Sequence, residues 1–270
     1  EKHYPLALQK LEHFLHDGIM HKEDPRVYIY RQVKDGRIYQ GIIAGVHADD
    51  YESLRIKKHE LTRTDKEDEM VGQMSITKTI GTAVLVTYHQ TDLINQLTEA
   101  ETNERPLFDF VQRGVRHTVW MAKKETEICN ALASLSDVYI ADGHHRSASL
   151  VRYANAQKAS NPGHTGKEAY NFLQTYFVPA ELLYVYEYNR LVENITTTPY
   201  KLLKHICDNF EMEKKKKEAY QPKKKHVFGM YYVDSWYKLK AKSEIIHDDD
   251  PLKCLDVQIL EDFLLKPVLN

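Results

Sequence analysis

Hydrophobic alternation on both sides of Asp35-Gly36 constrains the fold more than any other feature of the sequence. In RVYIYRQVKDGRIYQGIIAGV, aromatic and β-branched residues alternate with polar ones before and after this dipeptide. The pattern is the short-range signature of a β-hairpin. A second hairpin is predicted in FDFVQRGVRHTVWMA, with its turn near Gly114. The chain is therefore expected to contain antiparallel sheet.

Segments with helical spacing alternate with the strand candidates along the chain. The predicted helices cover residues 4–18, 65–74, 90–103, 125–135, 147–160, 199–208 and 255–265. The other predicted strands cover residues 82–89, 137–141, 171–179, 182–189, 226–232 and 236–241. Hairpins mixed with crossover helices predict an α+β fold with mixed sheets and packed helices rather than a doubly wound domain. The sequence contains neither GxGxxG nor GxxxxGK[ST], the two commonest nucleotide-binding loops.

Composition limits the kind of partner. The 37 basic and 39 acidic residues give a formal net charge of -2, so no overall field draws the chain to nucleic acid or to an anionic membrane. No apolar run approaches the roughly 20 residues of a membrane span, and no signal peptide is visible. The three cysteines are far apart and lack metal-binding spacing. We expect a cytoplasmic protein without a nucleic-acid or membrane partner; the oligomeric state is not indicated.

The stretch YIADGHHRSAS, residues 139–149, places a strand, a glycine turn and a helix start in succession. The first N–H groups of a helix have no intrahelical partners and attract anions. Gly143 allows a close approach of the backbone, and Arg146 offers a forked donor set suited to phosphate or carboxylate. The stretch therefore predicts a phosphate cradle. In the alternative interpretation, Asp142 caps the helix and Arg146 pairs with a surface acid.

The motif YIADGHHR resembles the signature of domain-of-unknown-function family 1015, an uncharacterised group often labelled sporulation-regulator-like or ParB-like. Other segments that resemble this family occur in the same order over nearly the whole chain: GIIAGVHADDYESLRIKKHELTRTDKEDE, GVRHTVW, YNFLQTYFVPAE, YEYNRLV, FGMYYVDSWYKL and DPLKCLDVQILED. Members of the family are longer at both ends. We therefore expect a fragment of a longer polypeptide, consistent with a first residue other than methionine.

The family is in turn similar to the ParB/sulfiredoxin superfamily, whose members bind nucleotide phosphates at a Gly-x-x-Arg turn. Free-serine kinases of this superfamily carry an Asp-Gly-His-x-Arg motif, which Asp142, Gly143, His144 and Arg146 match. This resemblance implies a phosphate-binding core within residues 1–190, with an N-terminal hairpin and inserted helices. Residues 191–270 then form a smaller α+β lobe, truncated at the C-terminus. His144 replaces the catalytic cysteine of sulfiredoxin, and the turn differs from the Gly-Glu-Arg-Arg of ParB.

The resemblance also assigns roles to residues of the site. A glutamate on the N-terminal side of the turn is the base in the serine kinases, and Glu60 in KKHELTRTDKEDE is its counterpart. The catalytic candidates are Glu60, Asp142 and His144, and Asp142 is also the candidate metal ligand. The phosphate-binding or nucleotide-binding candidates are Gly143, His145, Arg146 and Ser147. The alternative for the segment around Glu60 is a solvated charged loop and helix.

The candidate substrate-binding residues are His59, Arg63, His117, Asn189 and Arg190. His117 lies on a predicted strand beside Trp120, where a histidine with a structural hydrogen bond is the alternative. Asn189 and Arg190 follow an apolar run and have the donors for a carboxylate or phosphate, or else form an exposed strand-end turn.

The resemblance to the free-serine kinases, together with these residues, implies a nucleotide-dependent phosphotransferase that acts on a small hydroxyl substrate such as free serine. The expected cofactors are Mg²⁺ and ATP or ADP, and catalysis is expected to depend on positioning and charge stabilisation. The alternative is a non-enzymatic, ParB-like regulator that binds a nucleotide or phosphate.

Overall fold

The structure is a computed structural model that describes residues 3–193, 195, 197–215 and 218–269. The chain divides into two compact units, Glu1–Val185 and Tyr186–Asn270. Helices and mixed sheet occur together, so the predicted α+β class is confirmed. None of the helices in these described ranges is long and apolar enough to cross a membrane.

An eight-stranded mixed sheet is the framework of the first unit, in the spatial order β3-β7-β4-β8-β2-β1-β6-β5. Both predicted hairpins form, and Asp35, Gly36, Arg113 and Gly114 at their turns all have positive φ. In chain order the strands are β1 (Tyr28–Lys34), β2 (Arg37–His47), β3 (Ile56–Lys57), β4 (Val84–Tyr88), β5 (Phe108–Gln112), β6 (Val115–Met121), β7 (Val138–Asp142) and β8 (Phe172–Pro179).

Six α-helices accompany this sheet in the described part of the first unit. They are α1 (His3–His16), α2 (Ala48–Glu52), α3 (Thr64–Thr77), α4 (Asp92–Thr102), α5 (Glu125–Ala133) and α6 (His144–Ser160). Short 3₁₀ turns cover Ala169–Asn171 and Ala180–Leu182. The sequence did not predict α2 or β3, because elements of five and two residues are too short to show a hydrophobic period.

Strand directions near β7 bring three loops together. β3 runs parallel to β7, so the C-terminal ends of both strands lie on the same side of the sheet. β4 runs antiparallel to β7, so its first residue, Val84, lies beside the C-terminal end of β7. The loop 58–63 after β3, the turn after β7 and the segment 78–83 before β4 therefore converge.

The strands and helices that carry these three loops share one hydrophobic core. Val84 and Val86 are fully buried, and Ile140 of β7 is 1% exposed. Leu150, Val151 and Ala154 of α6 belong to the same buried cluster. Burial of such side chains contributes about 1.5–3 kcal/mol each and makes a rigid base for the loops.

The second unit contains a three-stranded antiparallel sheet in the order β10-β11-β9, and its core includes Ile206, Phe210, Leu239 and Ile259. The elements are α7 (Pro199–Asn209), β9 (Phe210–Lys214), β10 (Val227–Tyr232), β11 (Ser235–Ala241), a 3₁₀ turn (Ser243–Ile245), α8 (Asp256–Leu260), a π-helical turn (Glu261–Leu265) and α9 (Lys266–Leu269).

The strand predicted over residues 182–189 is wrong. Leu182 ends a 3₁₀ turn, and residues 183–189 have no regular secondary structure. Val185 is 89% exposed and Tyr188 is 82% exposed. Alternating apolar residues show only that a segment favours the extended conformation. A β-strand also needs a neighbouring strand with which its backbone forms hydrogen bonds.

Candidate functional site

Gly143 forms the turn between β7 and α6. Its φ of 105° and ψ of 28° lie in the left-handed region, which a residue with a Cβ atom rarely adopts. A Cβ at this position would lie 3.0 Å from Nη2 of Arg146 and 3.1 Å from Cγ2 of Val84. The turn therefore requires glycine for its backbone angle and for the close approach of the guanidinium.

Arg146 connects this turn to the segment before β4. Nη1 donates to the hydroxyl of Thr82 and, at 3.0 Å, to the carbonyl oxygen of Ala83. Nη2 pairs with Oδ2 of Asp142 at 2.5 Å. The sequence predicted Arg146 as a phosphate ligand; in the structure its guanidinium is engaged by protein acceptors, while the Asp142 carboxylate is 73% exposed.

His144 is the buried centre of the site. It is 4% exposed, and its Nε2 accepts a long hydrogen bond, 3.5 Å, from the backbone N–H of His59. Its Nδ1 lies 3.5 Å from Oε2 of Glu60. Because Nε2 is the acceptor, a neutral ring carries its proton on Nδ1, facing the Glu60 carboxylate.

Burial lowers the pKa of His144, and the neighbouring His59 lowers it further, although Glu60 and Asp142 oppose this shift. The imidazole is therefore neutral at pH 7, and the 3.5 Å approach of its Nδ1 to Glu60 is not an ion pair. The His59 ring meets the His144 ring edge-on, with 4.5 Å between centroids.

His145 holds the other end of the same loop. Its Nε2 accepts the backbone N–H of Arg63 at 3.2 Å. The Arg63 guanidinium pairs instead with Asp65 through two bonds of 3.1 and 2.7 Å, and its side chain is 70% exposed. His144 and His145 thus accept hydrogen bonds from the backbone near the two ends of the 58–63 loop. The guanidinium of Arg63, which was predicted to bind substrate, is paired with Asp65.

A polar network that sequence reasoning missed supports the loop from α3 and α6. The Thr62 hydroxyl donates to Glu67 at 2.5 Å, and Arg152 pairs with Glu67 at 2.9 Å and with Asp68 at 2.6 Å. The bonds from Thr62 and Arg152 lower the pKa of Glu67. Arg152 lies about two helical turns after His145, so its position on the same side of α6 could have been inferred from the sequence.

A cavity of about 290 Å³ opens beside these residues. This volume is close to the lower end of ligand-binding pockets, roughly 300 Å³. Six predicted site residues contribute to the wall, together with two that were not predicted. The lining residues are Glu60, Met70, Ala141, Asp142, Gly143, His144, His145 and Arg146.

Ser147 was predicted to bind phosphate, but it lies inside the helix. The residue has no exposed surface, and its hydroxyl donates to the carbonyl oxygen of Gly143 at 3.2 Å. A hydroxyl bonded to the preceding helical turn and shielded from solvent has no access to a ligand in the cavity.

His117 is not brought to this cavity. It lies on β6, five strands from β7, a separation of about 24 Å across the sheet. Its Nδ1 is 2.7 Å from the hydroxyl of Tyr30, and its ring stacks on Phe110 with 5.0 Å between centroids. These contacts match the interpretation of His117 as a histidine with a structural hydrogen bond.

Asn189 and Arg190 belong to the second unit, where both are exposed. Nη1 of Arg190 donates to the carbonyl oxygen of Tyr188 at 2.9 Å, and the guanidinium carbon lies 4.1 Å from the centre of the Tyr188 ring. These contacts are local to the segment.

Asp142 is a single carboxylate rather than part of a preformed metal centre. Within the described ranges, no group of three or more His, Cys, Asp or Glu side chains is arranged to hold a metal ion. Mg²⁺ commonly binds through one or two carboxylates, several waters and the phosphates of its substrate. The exposed Asp142 carboxylate is compatible with that mode of binding.

Comparison with known proteins assigns the chain to a family. The model of the family described as "Protein of unknown function (DUF1015)" matches residues 1–258, which confirms the resemblance seen in the sequence motifs. Searches of the curated proteins and of the solved structures returned no match. By this match over most of its length, the chain belongs to the DUF1015 family.

Proposed function

We propose that this protein is a nucleotide-dependent phosphotransferase that acts on a small hydroxyl compound such as free serine. The observation that carries the proposal is the approach of Glu60 to the neutral imidazole of His144 in the wall of one cavity. The start of α6 lines the same cavity. A proton acceptor and an anion-binding helix end thus lie together, as phosphoryl transfer requires.

The start of α6 would hold the nucleotide phosphates. The first intrahelical bond runs from the N–H of Ser147 to the carbonyl of Gly143, at 2.9 Å. The N–H groups of residues 144–146 precede that bond and have no acceptor one turn back within the helix. The positive end of the helix dipole adds to their attraction for an anion. This arrangement supports the ParB/sulfiredoxin-like phosphate-binding core that the motif implies.

Glu60 would act as the general base. Its side chain is 58% exposed, so a substrate hydroxyl can reach it. The carboxylate takes the hydroxyl proton while the new oxygen–phosphorus bond forms and the bond to the nucleotide breaks. Nδ1 of His144 lies 3.5 Å from the carboxylate, with its proton facing Glu60.

Asp142 would bind Mg²⁺ with the phosphates of ATP or ADP, and Mg²⁺ would supply neutralising charge on those phosphates. Asp142 also pairs with Arg146, whose bonds to Thr82 and Ala83 keep the turn in place. Arg146 is then a positioning residue whose positive charge lies at the cavity wall.

An assay with paired readouts tests the proposal. The protein is incubated with Mg²⁺, serine and ATP, ADP or CTP; phosphoserine is measured by ³¹P NMR, and the melting temperature is recorded with each nucleotide. Phosphoserine formation that is lost in Glu60→Gln supports the proposal. A nucleotide that raises the melting temperature without turnover supports the non-enzymatic regulator instead. Absence of both effects with every nucleotide contradicts both functions.

A further inference from the structure

A second cavity, of about 360 Å³, lies at the opposite end of β4 from the first. Val84 begins β4 beside the Gly143 turn, and Tyr88 at the end of the strand lines the second cavity. The two strand ends are roughly 13 Å apart along β4. Its wall includes Arg31, Ile38, Gln40, Glu99, Pro179 and Leu182.

The surface of this cavity is mainly apolar, although its wall also includes polar side chains. Ile38, Tyr88, Pro179 and Leu182 provide carbon surface, and Arg31 provides the positive charge. An apolar pocket with a few placed polar groups is the usual form of a small-molecule site. The volume lies within the range of roughly 300–1,000 Å³ for such sites.

Arg31 has the features of an anion receptor. Its Nε donates to the side-chain oxygen of Gln40 at 2.5 Å, and its guanidinium carbon lies 4.8 Å from the centre of the Trp120 ring. These contacts fix the plane of the guanidinium and do not use its two Nη atoms. Among the described residues no carboxylate forms an ion pair with Arg31, although many other arginines of the chain have one.

Partial burial and a neighbouring cation favour an anion at Arg31. Burial lowers the pKa of Arg31, and the nearby Arg116 lowers it further. A partly buried cation without a carboxylate gains from a bound anion, which replaces the hydration lost on burial. Arg116 itself pairs with Asp109 at 2.6 Å. The acid in the cavity wall is Glu99, and Glu181 lies close by, accepting the backbone N–H of Gln90 at 3.1 Å.

We propose that this cavity binds a small organic carboxylate, with the carboxylate forked onto Arg31 and the apolar body against Ile38, Pro179 and Leu182. The site is separate from the proposed phosphotransferase site and does not depend on it. Two sources share this chemistry, a simple carboxylic acid and an amino acid whose ammonium group faces Glu99.

Trp120 provides the readout, because its ring lies under the Arg31 guanidinium. The chain has two tryptophans, so Trp236→Phe leaves Trp120 as the sole reporter. In this background, 3-phenylpropionate, phenylalanine and the neutral 3-phenylpropanamide are titrated, and fluorescence is followed. We expect saturable binding of a carboxylate and at least about tenfold weaker binding of the amide, since the neutral amide cannot form a charge-assisted pair with Arg31.

Three substitutions complete the test. Arg31→Gln is expected to weaken carboxylate binding at least about tenfold. The matched control Arg26→Gln alters an arginine outside the cavity, 3.4 Å from Glu125, and should leave binding unchanged. Glu99→Gln changes an exposed side chain, so it keeps the test valid if Arg31→Gln does not fold; it should tighten 3-phenylpropionate and weaken phenylalanine if the ammonium faces Glu99.

Binding of either carboxylate that depends on Arg31 supports the proposal, and the Glu99→Gln result identifies the source. The proposal is overturned if neither carboxylate binds at millimolar concentration, if the amide binds equally well, or if a folded Arg31→Gln protein retains full affinity. Because phosphoserine formation is measured separately, failure here leaves the phosphotransferase proposal untouched.

Discussion

Nδ1 of His144 lies 3.5 Å from Oε2 of Glu60, while Nε2 of the same ring accepts the backbone N–H of His59. One buried imidazole therefore contacts two consecutive residues of the 58–63 loop. The backbone N–H of His59 sets the tautomer of the ring, so the Nδ1 proton faces the Glu60 carboxylate. This proximity makes the two groups the centre of the proposed mechanism.

Replacing Glu60 with glutamine should lower the rate of phosphoryl transfer by about 10²–10⁴-fold, the usual contribution of a general base. The melting temperature should change little, because the Glu60 side chain is more than half exposed. Turnover by ³¹P NMR and thermal unfolding measure the two effects. The control Glu69→Gln, an equally exposed acid on α3, should retain full activity. Equal rates for both variants would exclude Glu60 as the base.

The free energy of unfolding should decrease as the pH is lowered from 6.5, and part of this decrease should depend on His144. Burial places the pKa of the folded imidazole below its ordinary value of 6.5. As pH falls, the unfolded state binds the proton first, so the His144 contribution is present above pH 6.5 and is lost as pH falls toward the folded pKa. Urea unfolding at pH 5.5 and 7.5 should show a smaller difference for His144→Gln than for the wild type. An unchanged or larger difference would contradict the lowered pKa.

Replacing Gly143 with alanine should reduce the free energy of unfolding by about 1–2 kcal/mol or more, because an L-residue is strained at φ 105°. The added Cβ also displaces the Arg146 guanidinium. Gly81→Ala is the matched control in a neighbouring loop, since a Cβ there meets no atom within 4 Å. Urea denaturation compares the two, and a loss of stability confined to Gly81→Ala would refute this view of the turn.

Arg146→Ala should destabilise the protein even without a ligand, by about 1–3 kcal/mol, because it leaves the Ala83 carbonyl and the Thr82 hydroxyl without their donor. Arg63→Ala is the control: its guanidinium is largely exposed and pairs with a residue of its own segment. Chemical denaturation should show a large effect for the first variant and almost none for the second. An Arg146→Ala protein as stable as the wild type would mean that this guanidinium is held for a ligand.

Local features of the fold could be predicted because their causes are local. The Asp35-Gly36 turn requires residues that tolerate positive φ, and the alternation around it marks both strands. The start of α6 follows from the glycine turn after an apolar strand. Glu60 was predicted as a site residue from a family resemblance rather than from the spacing of residues in the sequence. The parallel pairing of β3 with β7 places it at the cavity.

Features that depend on strand order could not be predicted. The partners of Arg146, Thr82 and Ala83, lie more than 60 residues away and are brought near by the antiparallel register of β4 and β7. The same strand order places His117 five strands from the turn. The burial of Ser147 depends on which side of α6 faces the sheet. Each of these features depends on contacts between residues that are distant in the sequence.

The most direct test is a single-turnover experiment with excess enzyme, in which phosphoserine formed from Mg²⁺, serine and ATP or ADP is followed by ³¹P NMR. The account predicts phosphoserine with one of these nucleotides for the wild type, and a rate at least about 100-fold lower for Glu60→Gln at equal nucleotide binding. No phosphoserine from the wild type with either nucleotide, or the same rate from the folded variant, would contradict the account.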